Sequence, residues 1–442
     1  MVSYIEARAG EHLFYFGLWA YIQEYLLTPF TQDDIEEAAE LIAAHGEPFN
    51  RAGWEYILNT YNGYMPVRIN SVKEGTVLPN RNVLLTIECT DPKCFWVASF
   101  LETSLLRAIW YGSSVATMSY DCRQTIKKYM EMTSDTPDDL AFKFHDFGNR
   151  GVSSGESAML GGMGHLATGA MGTDNIEALV GARRYYGAHM AGFSIPASEH
   201  STITSWGKEH EVDAYRNMIK QYGGTGKIFA CVSDSYDIYK ACEMWGTVLK
   251  QDIIDSGCTV VVRPDSGDPA STVNKCIEIL AEHFGTTINS KGFKVLPSCI
   301  RVIQGDGINR DSIEEILRLI HWNGFSADNI AFGCGGALLQ HMNRDTYGFA
   351  QKCCALLVDG VWRDVFKEAV GKNSKRGRLG LYTNPKGEYF SLNEDELMEH
   401  EQTLDLVTAL DHQYFLLKTV DGYRPKVTAV TLDEVRSRGD SI

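Results

Sequence analysis

The chain has 442 residues, 44% of them hydrophobic and 22% charged, which excludes wholesale disorder and suits a folded protein of roughly two to three domains. With 41 Lys+Arg against 57 Asp+Glu the net charge is 41 − 57 = −16. That balance argues against nucleic acid as the main partner, because phosphate neutralisation needs clustered cations. A phosphorylated small molecule, which needs only a few local cations, stays compatible with it. No run approaches the roughly 18–20 apolar residues of a membrane span. Leu13 to Ile22 is too short and carries two tyrosines and a tryptophan, and Glu6, Arg8 and Glu11 interrupt any signal-peptide pattern. The 11 cysteines show no C-x-x-C pair and no regular Cys/His spacing. Zinc is therefore not expected, and reduced thiols in a cytoplasmic enzyme are.

In chain order, Thr31 and Asp34 predict a capped helix with Ile35, Ala38, Ala39, Leu41 and Ile42 on one face. Arg81 to Glu88 reads as a strand, and a long helix runs from about Ala98 to Met132. From Phe144 the texture changes. Short apolar strings begin at Phe144, Gly192, Ile228, Thr259, Ile300 and Asn329, each followed by a polar loop and separated by helical stretches. Ser312-Ile313-Glu314-Glu315 reads as a capping box opening the helix through Ile320. Near-continuous apolar strands alternating with helices indicate a parallel sheet buried on both faces. Six or seven loaded loops are too many for one switch-point crevice, so the α/β pattern predicts a (β/α) barrel over 136–349. The flanks, 1–135 and 350–442, are expected to form a second, α+β domain from both chain ends.

The loops carry the chemistry. Gly333-Cys334-Gly335-Gly336 follows a late strand, where barrels often bind phosphate on bare backbone N–H groups, and Gly305 and Gly307 flank Asp306 in a similar turn. A single G-x-G more often serves a tight turn, but two in successive units put an anion cradle on an equal footing with that reading. Arg263-Pro264-Asp265-Ser266-Gly267-Asp268 sets a guanidinium suited to phosphate beside carboxylates. Asp265 has three readings: ribose hydroxyls, a divalent metal, or an ion pair that stiffens the loop. His200 follows Glu199 at a strand end, with Asp237, Asp265 and Asp306 as candidate orienting partners. An imidazole so held can act as a base or as a nucleophile toward phosphorus. His145, His165, His189 and His210 have no such setting. Phe147 beside Arg150 offers a ring face next to a phosphate anchor, although core packing is the ordinary role of a Phe. Lys352, Lys367, Lys372, Lys375, Arg376 and Arg378 form a basic cluster in an acidic chain.

Five strings in order resemble the nicotinamide phosphoribosyltransferases. They are Phe144-His145-Asp146-Phe147-Gly148-Asn149-Arg150-Gly151-Val152-Ser153-Ser154, Ala197-Ser198-Glu199-His200-Ser201-Thr202, Val232-Ser233-Asp234-Ser235-Tyr236-Asp237, Arg263-Pro264-Asp265-Ser266-Gly267 and Val302-Ile303-Gln304-Gly305-Asp306-Gly307. The resemblance, which covers nearly the whole chain, implies an irregular barrel, a homodimer with shared active sites, and transfer of phosphoribose from phosphoribosyl pyrophosphate to nicotinamide. It further implies Mg²⁺ and coupling to ATP through a phosphohistidine at His200, with Asp237 as its carboxylate partner. By matching motif, Phe147 would stack on the pyridine, with Asp174 and Ser233 near the carboxamide and Ser194 among the substrate-binding residues. Arg150, Gly335 and Gly336 would hold the product phosphate. Arg263, Asp265, Gly305 and Asp306 would line the ribose and reaction centre. Arg8, Arg344, Lys352, Lys367 and Lys372 match the family's cations for pyrophosphate and nucleotide phosphates, some of them contributed across the dimer.

Asp174 accepts hydrogen bonds from an amide but repels a carboxylate, by about 4 kcal/mol at 4 Å and an effective dielectric near 20. The sequence thus predicts nicotinamide over nicotinate. The family normally carries an Asp-Ser-Tyr-Lys stretch near its start, whose Tyr stacks on the pyridine from the partner subunit. Met1 to Arg8 resembles the segment after that stretch, so either some tens of residues precede it in a longer reading frame or the ring is held differently. Cys334, Ala337 and Asn149 also depart from the family pattern and are expected to tune function. The alternatives are a nicotinate phosphoribosyltransferase, a weakly active truncated relative serving as a binding or signalling protein, and a barrel aldolase or isomerase. The last would need a Lys or Glu acting as base at a strand end, a role assigned to no residue of these loops.

Overall fold

The computed structural model describes residues 1–368 and 374–440. It is an α/β protein whose contacts group into two units. One comprises Met118–Gly181 and His189–His341, and the other Met1–Thr117, Ala182–Ala188 and Met342–Ile442.

The first unit is built on a six-stranded sheet in the order Gly172–Thr173, Phe144–Asp146, Ile330–Cys334, Ile300–Gln304, Thr259–Arg263, Ile228–Val232. Every neighbouring pair is parallel. Two isolated parallel bridges, Phe193 to Gly172 and Ala197 to Ala230, link the irregular 193–197 segment to both edges of the sheet. The sheet thus curls into an irregular barrel in which Gly192-Phe193-Ser194-Ile195-Pro196 stands in for a strand and makes only those single bridges.

The strands are apolar on both faces because one face meets helices and the other meets the barrel interior. Phe229, Val260, Val262 and Phe332 are fully buried. Cutting Phe332 back to Ala would cost about 3–5 kcal/mol. Helices start where loop residues can satisfy free N–H groups. Ser154 caps Gly155–Ala167, Asp237 caps Ile238–Gly246, and Asp268, ahead of Pro269, caps Pro269–Phe284. The helix expected to open at Ser312 spans Arg310–Trp322 instead. Asn309 is its cap, and Ser312 is the third helical residue that closes the capping box. The sequence carries two overlapping cap patterns there, and Asn accepts from two N–H groups at once.

The second unit holds an antiparallel seven-stranded sheet in the order Val361–Asp364, Ala350–Val358, Val2–Glu6, Val83–Cys89, Val67–Ser71, Asp411–Thr419, Gly422–Val427. The three strands from the N-terminal end stand side by side, flanked on each side by two from the C-terminal end. The Thr31–Asp34 capping box and its helix, Gln32–His45, are present. The long helix runs Glu102–Thr133 and is divided between the units after Thr117 rather than at its end near 135. An uninterrupted helix gives no sequence signal of where its packing partners change. No described helix is long and apolar enough to cross a membrane.

Candidate active site

A cavity of about 490 Å³ occupies the barrel interior. Phe147, Asp174, Ser194 and Arg263 line it at the carboxyl ends of the strands, and Lys143, Arg301 and Asp328 line it at the amino ends. The interior is open because the inward residues are small or lean aside. Ala230, Val261, Ile303 and Ala331 pack with Phe147 and Ile195 along the wall instead of filling the centre. At the amino ends, Lys143 is buried and its Nζ donates to the carbonyls of Asp328 at 3.0 Å and Ala327 at 3.4 Å. Burial pulls its pKa down to about 8.

Phe147 is placed by backbone as much as by side chains. Its N–H donates to the Cys334 carbonyl at 2.9 Å. Its ring lies against Gly333, where any Cβ would overlap it, and Phe147 Cε2, Arg263 Cδ and Asp265 Oδ1 all lie within 3.0–3.7 Å of the point a Gly305 Cβ would occupy. Phe147, Arg263, Asp265 and Gly305 are therefore contiguous. Asp174 faces the same cavity and accepts a 2.5 Å hydrogen bond from the Ser194 hydroxyl on Oδ1. The buried Asp146 carboxyl, raised to about 6 by desolvation, accepts from Gly148 N–H at 2.8 Å. His145, for which the sequence suggested no chemistry, also lines the cavity. It donates from Nε2 to the Phe142 carbonyl, and its burial favours the neutral ring. Residues two apart share a face on a strand, so the alternation His145/Phe147 against Phe144/Asp146 could have located it.

His200 opens the His200–Thr204 helix, and its Nε2 lies 2.9 Å from Asp234 Oδ1. A carboxylate can only accept, so Nε2 carries a proton, and in the neutral ring Nδ1 holds the lone pair. Asp234 Oδ2 in turn accepts from Ser266 at 2.5 Å. The expected partner, Asp237, is engaged elsewhere. Its Oδ1 caps Tyr239 and Lys240 at 3.1 Å, and its carboxylate lies 3.7 Å from Lys240 Nζ. Ser233 is also used differently. It is fully buried, donates to the Cys231 carbonyl at 2.9 Å and accepts from Trp245 Nε1 at 3.1 Å, away from the cavity lining.

Arg263 and Asp265 form a 3.7 Å ion pair at the tip of their strand. Desolvation lifts the Asp265 carboxyl above its ordinary range, with Arg263 opposing and the charges of Asp234 and Asp306 adding to the rise. Buried polar atoms of Arg263 (Nε), Gln304 (Oε1) and Ser235 (Oγ) lack partners among the described residues. They sit at the ends of three successive strands, where a polar ligand would satisfy them. Asp306 is exposed on its turn, and Gly307 takes the positive φ the turn requires. Gly335 and Gly336 meet the Arg150 turn: a Cβ on Gly151 would lie 3.7 Å from Gly336 Cα. A Cβ on Gly335 would come no closer than 3.8 Å to any protein atom beyond its chain neighbours, so packing does not demand glycine there and the loop leaves room for an anion.

The other expected cations lie in the second unit. Arg8 and Arg344 flank the same turn. Arg8 N–H donates to Tyr347 and its Nε to Gly348, while Arg344 pairs with Asp345 at 3.0 Å. Lys352 is exposed on its strand, Lys367 donates its N–H to Ser374, and Lys372 lies outside the described residues. No cluster of three or more His, Cys, Asp or Glu side chains among the described residues forms a ready metal cage. Asp265 and Asp306 nevertheless suit a Mg²⁺ that brings most of its ligands as phosphate oxygens and water.

Residues 142–403 match the family model described as the nicotinate phosphoribosyltransferase (NAPRTase) family, and residues 1–69 match that of the nicotinamide phosphoribosyltransferase N-terminal domain. The chain is similar to the nicotinamide phosphoribosyltransferase of Xanthomonas campestris pv. campestris, 50% identical over 99% of this chain and 93% of the relative. It is also similar to that of Acinetobacter baylyi, at 30% over 97% and 88%. Among solved structures it shares a fold with nicotinate-nucleotide pyrophosphorylase from Pyrococcus furiosus, with a TM-score of 0.59 and 16% identity over 99% of this chain and 87% of the other. Human nicotinic acid phosphoribosyltransferase is comparable, at 0.56 and 15% over 99% and 88%. The chain belongs to the nicotinate phosphoribosyltransferase family and is a phosphoribosyltransferase.

Proposed function

We propose that this enzyme transfers the phosphoribosyl group of phosphoribosyl pyrophosphate to nicotinamide in NAD salvage, giving nicotinamide mononucleotide and pyrophosphate, with ATP hydrolysis coupled through His200. The observation that carries the choice of acceptor is Asp174, on the wall of the cavity that Phe147 also lines. With Oδ1 engaged by Ser194, its other oxygen is available to a carboxamide NH₂, while a nicotinate carboxylate would be repelled.

In this reading Phe147 stacks on the pyridine and aims its ring nitrogen at the ribose C1′. The nitrogen lone pair forms the new bond as the C1′–oxygen bond to pyrophosphate breaks, and the electron pair leaves with the pyrophosphate. Charge builds up on that leaving group, so Arg263 lowers the barrier by meeting it. Mg²⁺, when bound, neutralises the same charge, with Asp265 and Asp306 the side chains to hold it. The N–H groups of Gly335 and Gly336, with Arg150, take the 5′-phosphate.

His200 Nδ1 holds the lone pair that would attack the γ-phosphorus of ATP, releasing ADP, while Asp234 steadies the Nε2 proton. Arg8, Arg344, Lys352, Lys367 and Lys372 would serve the polyphosphates, some of them from a second copy in a homodimer. A second reading, with nicotinate as acceptor, is suggested by the name of the family model.

Product analysis with each base, phosphoribosyl pyrophosphate and Mg²⁺, with and without ATP, separates the two. In Asp174→Ser the nicotinamide/nicotinate ratio of kcat/KM should fall by up to roughly a thousandfold. An unchanged ratio would refute the proposed role of Asp174.

A further inference from the structure

Asp146 ends its strand with a buried carboxylate that spans two loops. Oδ1 accepts from Gly148 N–H at 2.8 Å, and Oδ2 accepts from the Asn175 amide at 3.0 Å. Those loops carry Phe147 and Asp174. Both partners are donors, and only a carboxylate offers acceptors on both oxygens without a donor of its own; an Asn here would turn an N–H toward one of them. Asn175 is itself pinned, its Nδ2 donating also to the Ala158 carbonyl at 2.9 Å and its Oδ1 accepting from Ala178 N–H at 3.2 Å. Nearer the surface, Asn149 Nδ2 donates to Glu177 Oε2 at 2.5 Å, a second tie between the same two segments. None of these four residues lines the cavity. They reach the base through the two that do, while Arg150, next to Asn149, ties the same loop to the phosphate.

We infer that Asp146–Asn175, backed by Asn149–Glu177, is a clasp that fixes the spacing between the Phe147 ring and the Asp174 carboxylate, making Asp146 a positioning residue for the pyridine substrate. The inference rests on the pyridine site proposed above and deepens it. A clasp on the pyridine walls governs affinity for the base first, and the sugar pyrophosphate feels it only through Arg150 on the same loop, and so less.

The test is steady-state kinetics with both substrates varied. Asp146→Asn sets donor against donor and should raise the KM for nicotinamide about tenfold, with the KM for phosphoribosyl pyrophosphate within about twofold. Asn175→Asp sets two carboxylates face to face. The reciprocal double variant restores one donor to that contact and should show a lower nicotinamide KM than Asn175→Asp alone, although the Ala158 bond stays lost. Asn149→Ala, near the surface, should raise the same constant about threefold. Equal rises in both KM values, or a double variant no better than Asn175→Asp, would overturn the clasp. If the core variants do not fold, an unchanged nicotinamide KM in Asn149→Ala overturns it. Wild-type enzyme that makes no mononucleotide from nicotinamide would sink the underlying reading instead; an active wild type without this kinetic pattern sinks the clasp alone.

Discussion

Phe147 rests directly on Gly333, so closely that a Cβ at 333 would fall inside the ring's van der Waals envelope. The absence of a side chain at the end of one strand therefore sets the depth of an aromatic ring carried by its neighbour. Gly333→Ala must push the ring into the cavity or the strand outward, at about 1–3 kcal/mol. The expected result is a KM for nicotinamide raised on the order of tenfold together with a melting temperature lowered by about 1–3 degrees. Unchanged binding in a stable variant would mean the ring is not the stacking surface.

Gly335 is the opposite case. A Cβ there would come no nearer than 3.8 Å to the protein, at the Phe147 carbonyl, so Gly335→Ala introduces no clash with the protein. If the loop cradles a phosphate, the same methyl group meets the ligand, and the KM for phosphoribosyl pyrophosphate should rise at least about tenfold. Kinetics and melting curves on one preparation decide the matter. A stability loss without a KM change would make the loop structural.

The carboxylate beside His200 belongs to Asp234, and this separates two variants that look alike in sequence. Asp234→Asn removes the negative charge beside Nε2 and should reduce an acid-labile phosphoenzyme formed from labelled ATP by roughly ten- to a hundredfold. Asp237→Asn should leave it intact, because Asn is as good an N-cap as Asp for the Ile238–Gly246 helix. His200→Ala should abolish it. Label that survives in His200→Ala would place the phosphoryl group elsewhere.

The barrel was legible because its strands are apolar on both faces and end in loops of Gly, Asp, Ser and Arg, a contrast that needs no coordinates. Phe147 and Arg263 could be nominated for the same reason, whereas Asp174 and Ser194 came with the family resemblance. What eluded the sequence was set by side-chain direction. Asp234 and Asp237 lie three residues apart in one loop, and the choice between them depends on where the next helix begins. Asp237 directly precedes Ile238-Tyr239-Lys240 and reads as a cap once that start is recognised, which frees Asp234 for His200. The burial of Ser233 against Trp245 is equally hidden in sequence, because that partner lies at the far end of the next helix. The change of units inside Glu102–Thr133 leaves no trace in the helix's own periodicity.

Lys143 gives a prediction in pH rather than in kinetics. Its amine is buried at the amino ends of the strands with two carbonyl acceptors, and burial, the leading cause, lowers its pKa from 10.5 to about 8 despite the opposing pull of Asp328 and Asp139. Below pH 8 the folded and unfolded chains both hold the proton, and the folded state bears a buried charge. Between pH 8 and 10.5 the folded state has released its proton while the unfolded chain has not, so this group's contribution to stability rises across that window. The full gain is on the order of 3 kcal/mol. Tyrosine and cysteine ionisation also act at high pH, so the quantity to measure is the melting temperature of wild type minus that of Lys143→Met. It should climb from pH 7.5 to pH 10.5, by roughly the few degrees that a few kcal/mol move a chain of this size. A difference that stays flat would show that the amine reaches water through the cavity and keeps an ordinary pKa.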